Sequence, residues 1–158
     1  MTDVLLLFKL IHILGAAVLF GTGLGIAFFM YMAHRTREPA TIATTARVVV
    51  IADALFTASA VIVQPVTGAI LAWLIGYSPW ESWIVAALAL YVFVGMCWLP
   101  VVGIQLRLRD LATEAVRAAA PLPAAYDRLF RIWFWLGWPA FLGVIAIFAL
   151  MLWNPRLW

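Results

Sequence analysis

The sequence predicts an all-α integral membrane protein, a four-helix bundle with both termini on the outer, periplasmic side. Three observations carry that prediction. The chain of 158 residues is 67% hydrophobic and 11% charged, with a mean hydropathy of +1.08, whereas soluble domains are nearer half apolar and about a quarter charged. Four apolar segments are each long enough to cross about 30 Å of hydrocarbon. Eight of the ten basic residues (Arg35, Arg37, Arg47, Arg107, Arg109, Arg117, Arg128 and Arg131) lie in or beside two of the three connections. Under the positive-inside rule those two connections face the cytoplasm, in a multi-pass protein of the inner (plasma) membrane.

One transmembrane domain covers residues 1–158. The first span runs over about 4–33. MTDVLLLFKLIHILG has no basic region before its apolar stretch and continues past signal-peptide length, so it reads as a retained helix. The polar, basic stretch 34–47 follows, with Pro39 as its helix breaker. The second span covers about 48–76 and ends at 77–82, where Pro79 and Trp80 mark an interfacial turn. The third covers about 83–106. The connection 107–128 starts with amphipathic helical spacing and is stopped by Pro121 and Pro123, and the fourth span covers about 129–153. Nine tryptophans suit a chain that meets two membrane–water interfaces. The net charge of +3 is then a topology signal, and no nucleic-acid platform is present.

Ala17, Gly21 and Gly25 recur every four residues in the first span, a small-residue stripe that lets a neighbouring helix approach closely. Gly21, Gly23 and Gly25 superficially resemble a phosphate loop, but they lie inside an apolar helix with no strand before it, so packing is the better reading. Pro65, Pro100 and Pro139 each remove a helix hydrogen bond inside a span, and the carbonyls they free need partners within the bundle. Such kinks open a cavity or are packing irregularities. The lone Cys97 excludes an intrachain disulfide and a cysteine-based metal site.

Ionisable groups inside a span are expensive and mark function by default. Lys9 and His12, three residues apart, share a helix face. Lys9 is long enough to snorkel to the outer interface or to act beside His12. His12 is too short to escape, and either donates to a neighbouring helix or binds a metal or heme. The other polar residues in the membrane are few: Asp53, Thr57, Gln64, Thr67 and Gln105. Gln64 lies at a depth compatible with His12. Asp53, nearer the cytoplasmic side, is either fastened to Arg107 or Arg131 or serves as a proton-entry carboxylate. Trp98 and Trp138, beside Pro100 and Pro139, are placed to wall a flat cofactor pocket or to fill the kinks. Met96 is the one methionine deep in a span.

The stretches FKLIHILGA, GTGLGIAFF, ADALFTASAVIVQPVTG, WLPVVGIQLRLR and RIWFWLGWPAF, in that order, resemble the bacterial four-span membrane proteins of domain-of-unknown-function family 2269. That likeness implies topology and little chemistry. Within the first helix, Lys-x-x-His is also similar to the motif of HemJ-type protoporphyrinogen oxidases. This second likeness implies an axial role for His12 on heme b, with Lys9 as its functional neighbour.

A low-spin b-type heme needs two axial ligands. His34 cannot supply the second to His12, since it lies about 33 Å along the same helix. Met96, Lys9 or His12 of another subunit remain, or a five-coordinate iron. The first expectation is therefore a heme-b-binding redox protein, a possible membrane oxidoreductase, that exchanges electrons with a quinone or porphyrin. The second is a non-enzymatic accessory or assembly subunit, in a homo-oligomer or a larger membrane complex. The third is a proton- or metal-linked transporter that uses Asp53, Gln64 and His12.

Overall fold

The computed structural model describes residues 2–158. It is all-helical: α1 (Thr2–Thr36), α2 (Pro39–Ala52), a π-helical turn (Asp53–Thr57), α3 (Ala58–Ile75), α4 (Ser82–Arg117) and α5 (Ala124–Trp153). The segment Pro39–Ile75 forms one continuous rod, so four helices are long and apolar enough to cross a membrane.

The breaks between helices follow from local chemistry. Of the polar stretch 34–47, only Arg37 and Glu38 are non-helical. Arg37 adopts a left-handed φ of 57° and Glu38 is extended ahead of Pro39, as a residue before proline must be. The proline that was expected to break the chain therefore starts a helix, where its missing N–H is not needed. The Glu38 carboxylate accepts from the Thr41 hydroxyl at 2.6 Å. Arg37 forms a two-pronged ion pair with Asp127 at the start of α5, at 2.5 and 3.0 Å. The carboxylate raises the guanidinium pKa further above its ordinary value. At the other end, α3 stops at Gly76, whose φ of 87° is open to glycine at little steric cost. Tyr77 N–H then reaches back to the Ala72 carbonyl at 2.9 Å. α4 runs without interruption through the amphipathic stretch to Arg117, and Pro121 and Pro123 precede α5.

Packing is concentrated at the basic end. Met30 and Ala33 of α1, Ile42 and Ala46 of α2, Leu108 and Ala112 of α4, and Tyr126 and Phe130 of α5 form one buried core. Toward the opposite end the bundle separates into two pairs, α1 with α3 and α4 with α5. Phe20 stacks on Phe141 with ring centroids 5.1 Å apart and links the pairs across α1 and α5. Across α3 and α4, the Tyr91 hydroxyl donates to the Val61 carbonyl. Val61 lies four residues before Pro65, so its carbonyl is the one that proline leaves without a helical donor. The need for partners within the bundle is met here by a side chain of α4.

The small-residue stripe does not pack the bundle as expected. A side chain at Gly21 or Gly23 would meet nothing within 4 Å, and one at Gly25 would meet only Phe29 of its own helix. The close approaches are elsewhere. A Cβ on Gly15 would collide with the Gln64 amide, and one on Gly143 would lie 2.6 Å from Val94 Cγ2. Spacing alone shows that a face is flat; only the arrangement of helices shows whether that face is used.

Candidate functional site

Two polar clusters lie inside the bundle. The first joins α1 to α3. His12 Nδ1 is 2.8 Å from Thr67 Oγ1, and the Gln64 amide donates to the His12 carbonyl at 3.0 Å. The backbone makes this contact possible, because Gly15 leaves room for the Gln64 amide and Gly68 lies 3.4 Å, measured from an added Cβ, from His12 Cε1.

The proton positions in this cluster follow from counting donors. Thr67 has one hydroxyl proton. Its oxygen is 2.7 Å from the Val63 carbonyl, one turn back, and 3.2 Å from that of Gln64. Neither carbonyl can donate, so the threonine proton goes to Val63. The 2.8 Å contact is then closed by His12 donating Nδ1–H to Thr67 Oγ1. The ring is thus held with Nδ1 as the donor, and Nε2 has no hydrogen-bond partner among the described residues. Thr67 is 5% exposed, which keeps water from competing for that proton.

The second cluster joins the π-helical turn to α4 and α5. Asp53 is 4% exposed and accepts from Trp98 Nε1 at 3.3 Å. With its amide oriented to satisfy both ends, Gln105 donates to the other Asp53 oxygen at 3.1 Å and accepts from Trp133 Nε1 at 3.3 Å. The expected pair with Arg107 or Arg131 is not formed. Both arginines are exposed, and the ion pairs among the described residues are Arg37–Asp127 and Arg109–Asp110. A neutral N–H from an indole or an amide can reach a carboxylate this deep, whereas a guanidinium would have to be stripped of its water. The π turn places Asp53 and Thr57 inward together, both buried. Insertions of this kind recur at functional sites.

The residues expected to form one cofactor pocket are thus divided. Gln64 joins His12. Trp98 belongs to Asp53, which lies fourteen residues (67 − 53) from Thr67 on the same rod, about 21 Å along its axis. Met96, two residues from Trp98, is 61% exposed and Trp138 is 49% exposed, so neither walls an enclosed cavity with His12. Lys9 is exposed. No group of three or more His, Cys, Asp or Glu able to hold a metal occurs among the described residues.

Sequence reasoning missed Tyr91, Gly15 and Gly68 as parts of these arrangements. A tyrosine in mid-span is itself a signal, since its hydroxyl needs a partner in hydrocarbon. The position of that partner, behind Pro65, was also legible.

No curated protein and no solved structure matches the chain. Residues 6–155 match the family described as predicted integral membrane protein, domain of unknown function 2269. The match covers all four apolar helices, and the chain belongs to that family.

Proposed function

We propose that this protein is a heme-b-binding redox protein of the inner membrane, with His12 as axial ligand and its basic end at the cytoplasm. One observation supports the reading above all. Thr67 Oγ1 is placed to accept from His12 Nδ1–H, and a metal-ligating histidine ordinarily donates its second ring N–H in this way. The orientation follows the arginine distribution.

His12 Nε2 would hold the iron, with Thr67 fixing the ring and Gln64 tying the backbone of α1 at His12 to α3. Met96 lies near the level of Asp53 rather than that of His12, so a further ligand would come from His12 of a second copy. A quinone or a porphyrin would be the substrate. When bound, the heme would supply one-electron chemistry. The polypeptide would hold the iron, set the imidazole tautomer and exclude water on the Thr67 side. Lys9, one turn toward the chain start, would bring a positive charge to the membrane surface beside the site.

The experiment is an absorption spectrum of detergent-purified protein expressed with ample heme, oxidised and dithionite-reduced, beside His12→Ala and Thr67→Val. A Soret band is expected in the wild type and absent in His12→Ala. Thr67→Val should retain heme with affinity lower by about 10- to 100-fold, the usual effect of losing such a partner. A flat visible spectrum in the wild type would overturn the reading.

A second reading, an accessory or assembly subunit, is favoured by the bare faces of Gly21 and Gly23. On that reading the protein is colourless, and Gly21→Leu releases a co-purifying partner while leaving the fold intact.

A further inference from the structure

A groove opens at the basic end, away from both polar clusters. It measures about 310 Å³ and lies between the end of α1 and the first turns of α5. Its charged wall is Arg35, Arg37 and Arg131, and its apolar wall includes Tyr31 and Phe134, whose rings are 6.0 Å apart. The three arginines are not equivalent. Arg37 is engaged by Asp127, which neutralises it and fixes the corner between α1 and α2. Arg35 and Arg131 form no ion pair within 4.0 Å among the described residues and are exposed, although Arg131 adds its charge to the field that holds Asp127 ionised. His34, on the cavity floor, stacks on Phe130 with centroids 3.7 Å apart, and its Nδ1 is buried without a hydrogen-bond partner.

We infer that this groove binds the phosphate of an anionic phospholipid headgroup, with Arg35 and Arg131 on its oxygens. A guanidinium presents a fork of donors that matches two phosphate oxygens, and two such groups without carboxylate partners leave a net positive hollow. The second observation is position. The outer surfaces of α1 and α5 next to the groove carry exposed Phe28, Phe29, Ile132 and Trp135, so lipid chains lie beside them and headgroups lie at the level of the arginines. Basic hollows between transmembrane helices at such a level suit anionic headgroups. A free phosphate offers the same charge but leaves the aromatic wall of Tyr31 and Phe134 unused, whereas the glycerol and upper acyl carbons of a lipid would cover it. The inference is independent of His12 and of any heme.

The test is native mass spectrometry of the full-length protein released from detergent, titrated with phosphatidylglycerol, with phosphatidylcholine, and with inorganic phosphate as competitor. The wild type should retain phosphatidylglycerol over phosphatidylcholine. The double variant Arg35→Gln/Arg131→Gln should lower that retention by about tenfold or more, as expected for two cationic side chains at a lipid surface. The charge-matched control Arg107→Gln/Arg117→Gln, outside the groove, should leave it unchanged. If the double variant fails to fold by circular dichroism, the single exposed substitution Arg131→Gln carries the comparison, with a smaller loss. Equal loss in the control pair would overturn the site in favour of diffuse surface charge. Equal retention of phosphatidylcholine would overturn its selectivity for anionic lipid. Displacement of the lipid by inorganic phosphate would reassign the groove to the free anion.

Discussion

The two ends of this bundle are built differently. At the basic end, α1, α2, α4 and α5 close around Met30, Ile42, Leu108 and Tyr126, each less than 2% exposed. At the other end, α1 pairs with α3 and α4 with α5, and the pairs meet through single contacts such as Phe20 on Phe141 and Tyr91 on the Val61 carbonyl. The packed end is held by side-chain fit, and the open end by a few polar and aromatic links. The packed core draws Ile42, Ala46, Leu108, Ala112 and Tyr126 from the arginine-bearing stretches 34–47 and 107–128, outside the most apolar segments. At the open end, where lipid surrounds the helices, burial by itself drives little association, and close packing and hydrogen bonds decide where helices meet. The His12 cluster belongs to the open end, and the arginine groove lies at the rim of the packed end.

The largest effect should come from the packed end. Leu108→Ala removes a fully buried side chain from the core and should destabilise the protein by about 2–5 kcal/mol. The same truncation at Leu14, exposed on the open half of α1, should change stability by less than about 0.5 kcal/mol. Chemical denaturation in a fixed detergent measures both, and equal losses would break the comparison.

An intermediate effect is expected where α1 meets α3. Gly15→Val drives a side chain into the Gln64 amide and should cost about 1–3 kcal/mol, the usual range for overpacking. Gly21→Val, two turns along the same helix and facing nothing, should be near neutral by the same assay in purified monomer. If Gly21 were the more sensitive, the helix would pack by its small-residue stripe after all.

The smallest effect tests the link across α3 and α4. Tyr91→Phe leaves the Val61 carbonyl without its donor and should cost about 1–3 kcal/mol, toward the lower end in lipid. In a Pro65→Ala background the helix can supply its own N–H to Val61, and the Tyr91 substitution should then cost measurably less. A double-mutant cycle on the four proteins reads this coupling. A zero coupling energy would show that Tyr91 answers some need other than the one created by Pro65.

The chemistry of the site was partly legible beforehand. His12 stood out because an imidazole in hydrocarbon needs a partner, and Gln64 was at a matching depth. That Thr67 would accept from Nδ1–H was not readable, because it depends on α3 presenting residues 64, 67 and 68 together to one turn of α1. Asp53 was visible as a buried carboxylate and was given the wrong company. The arginines nearby are numerous, but the π turn aims the carboxylate at Trp98 and Gln105, where neutral donors lie.

Composition and hydropathy by themselves determined that this chain is helical and that four of its helices are long and apolar enough to cross a membrane. Those features follow from the thickness of hydrocarbon and from the cost of exposing backbone polar groups to it, and each is a property of one segment at a time. Only the tertiary structure decided which polar residues meet, which glycines allow close approach, and that one end is packed while the other is open. Those depend on the rotation of each helix about its axis and on the π turn, which are set jointly by neighbouring helices and by no single segment.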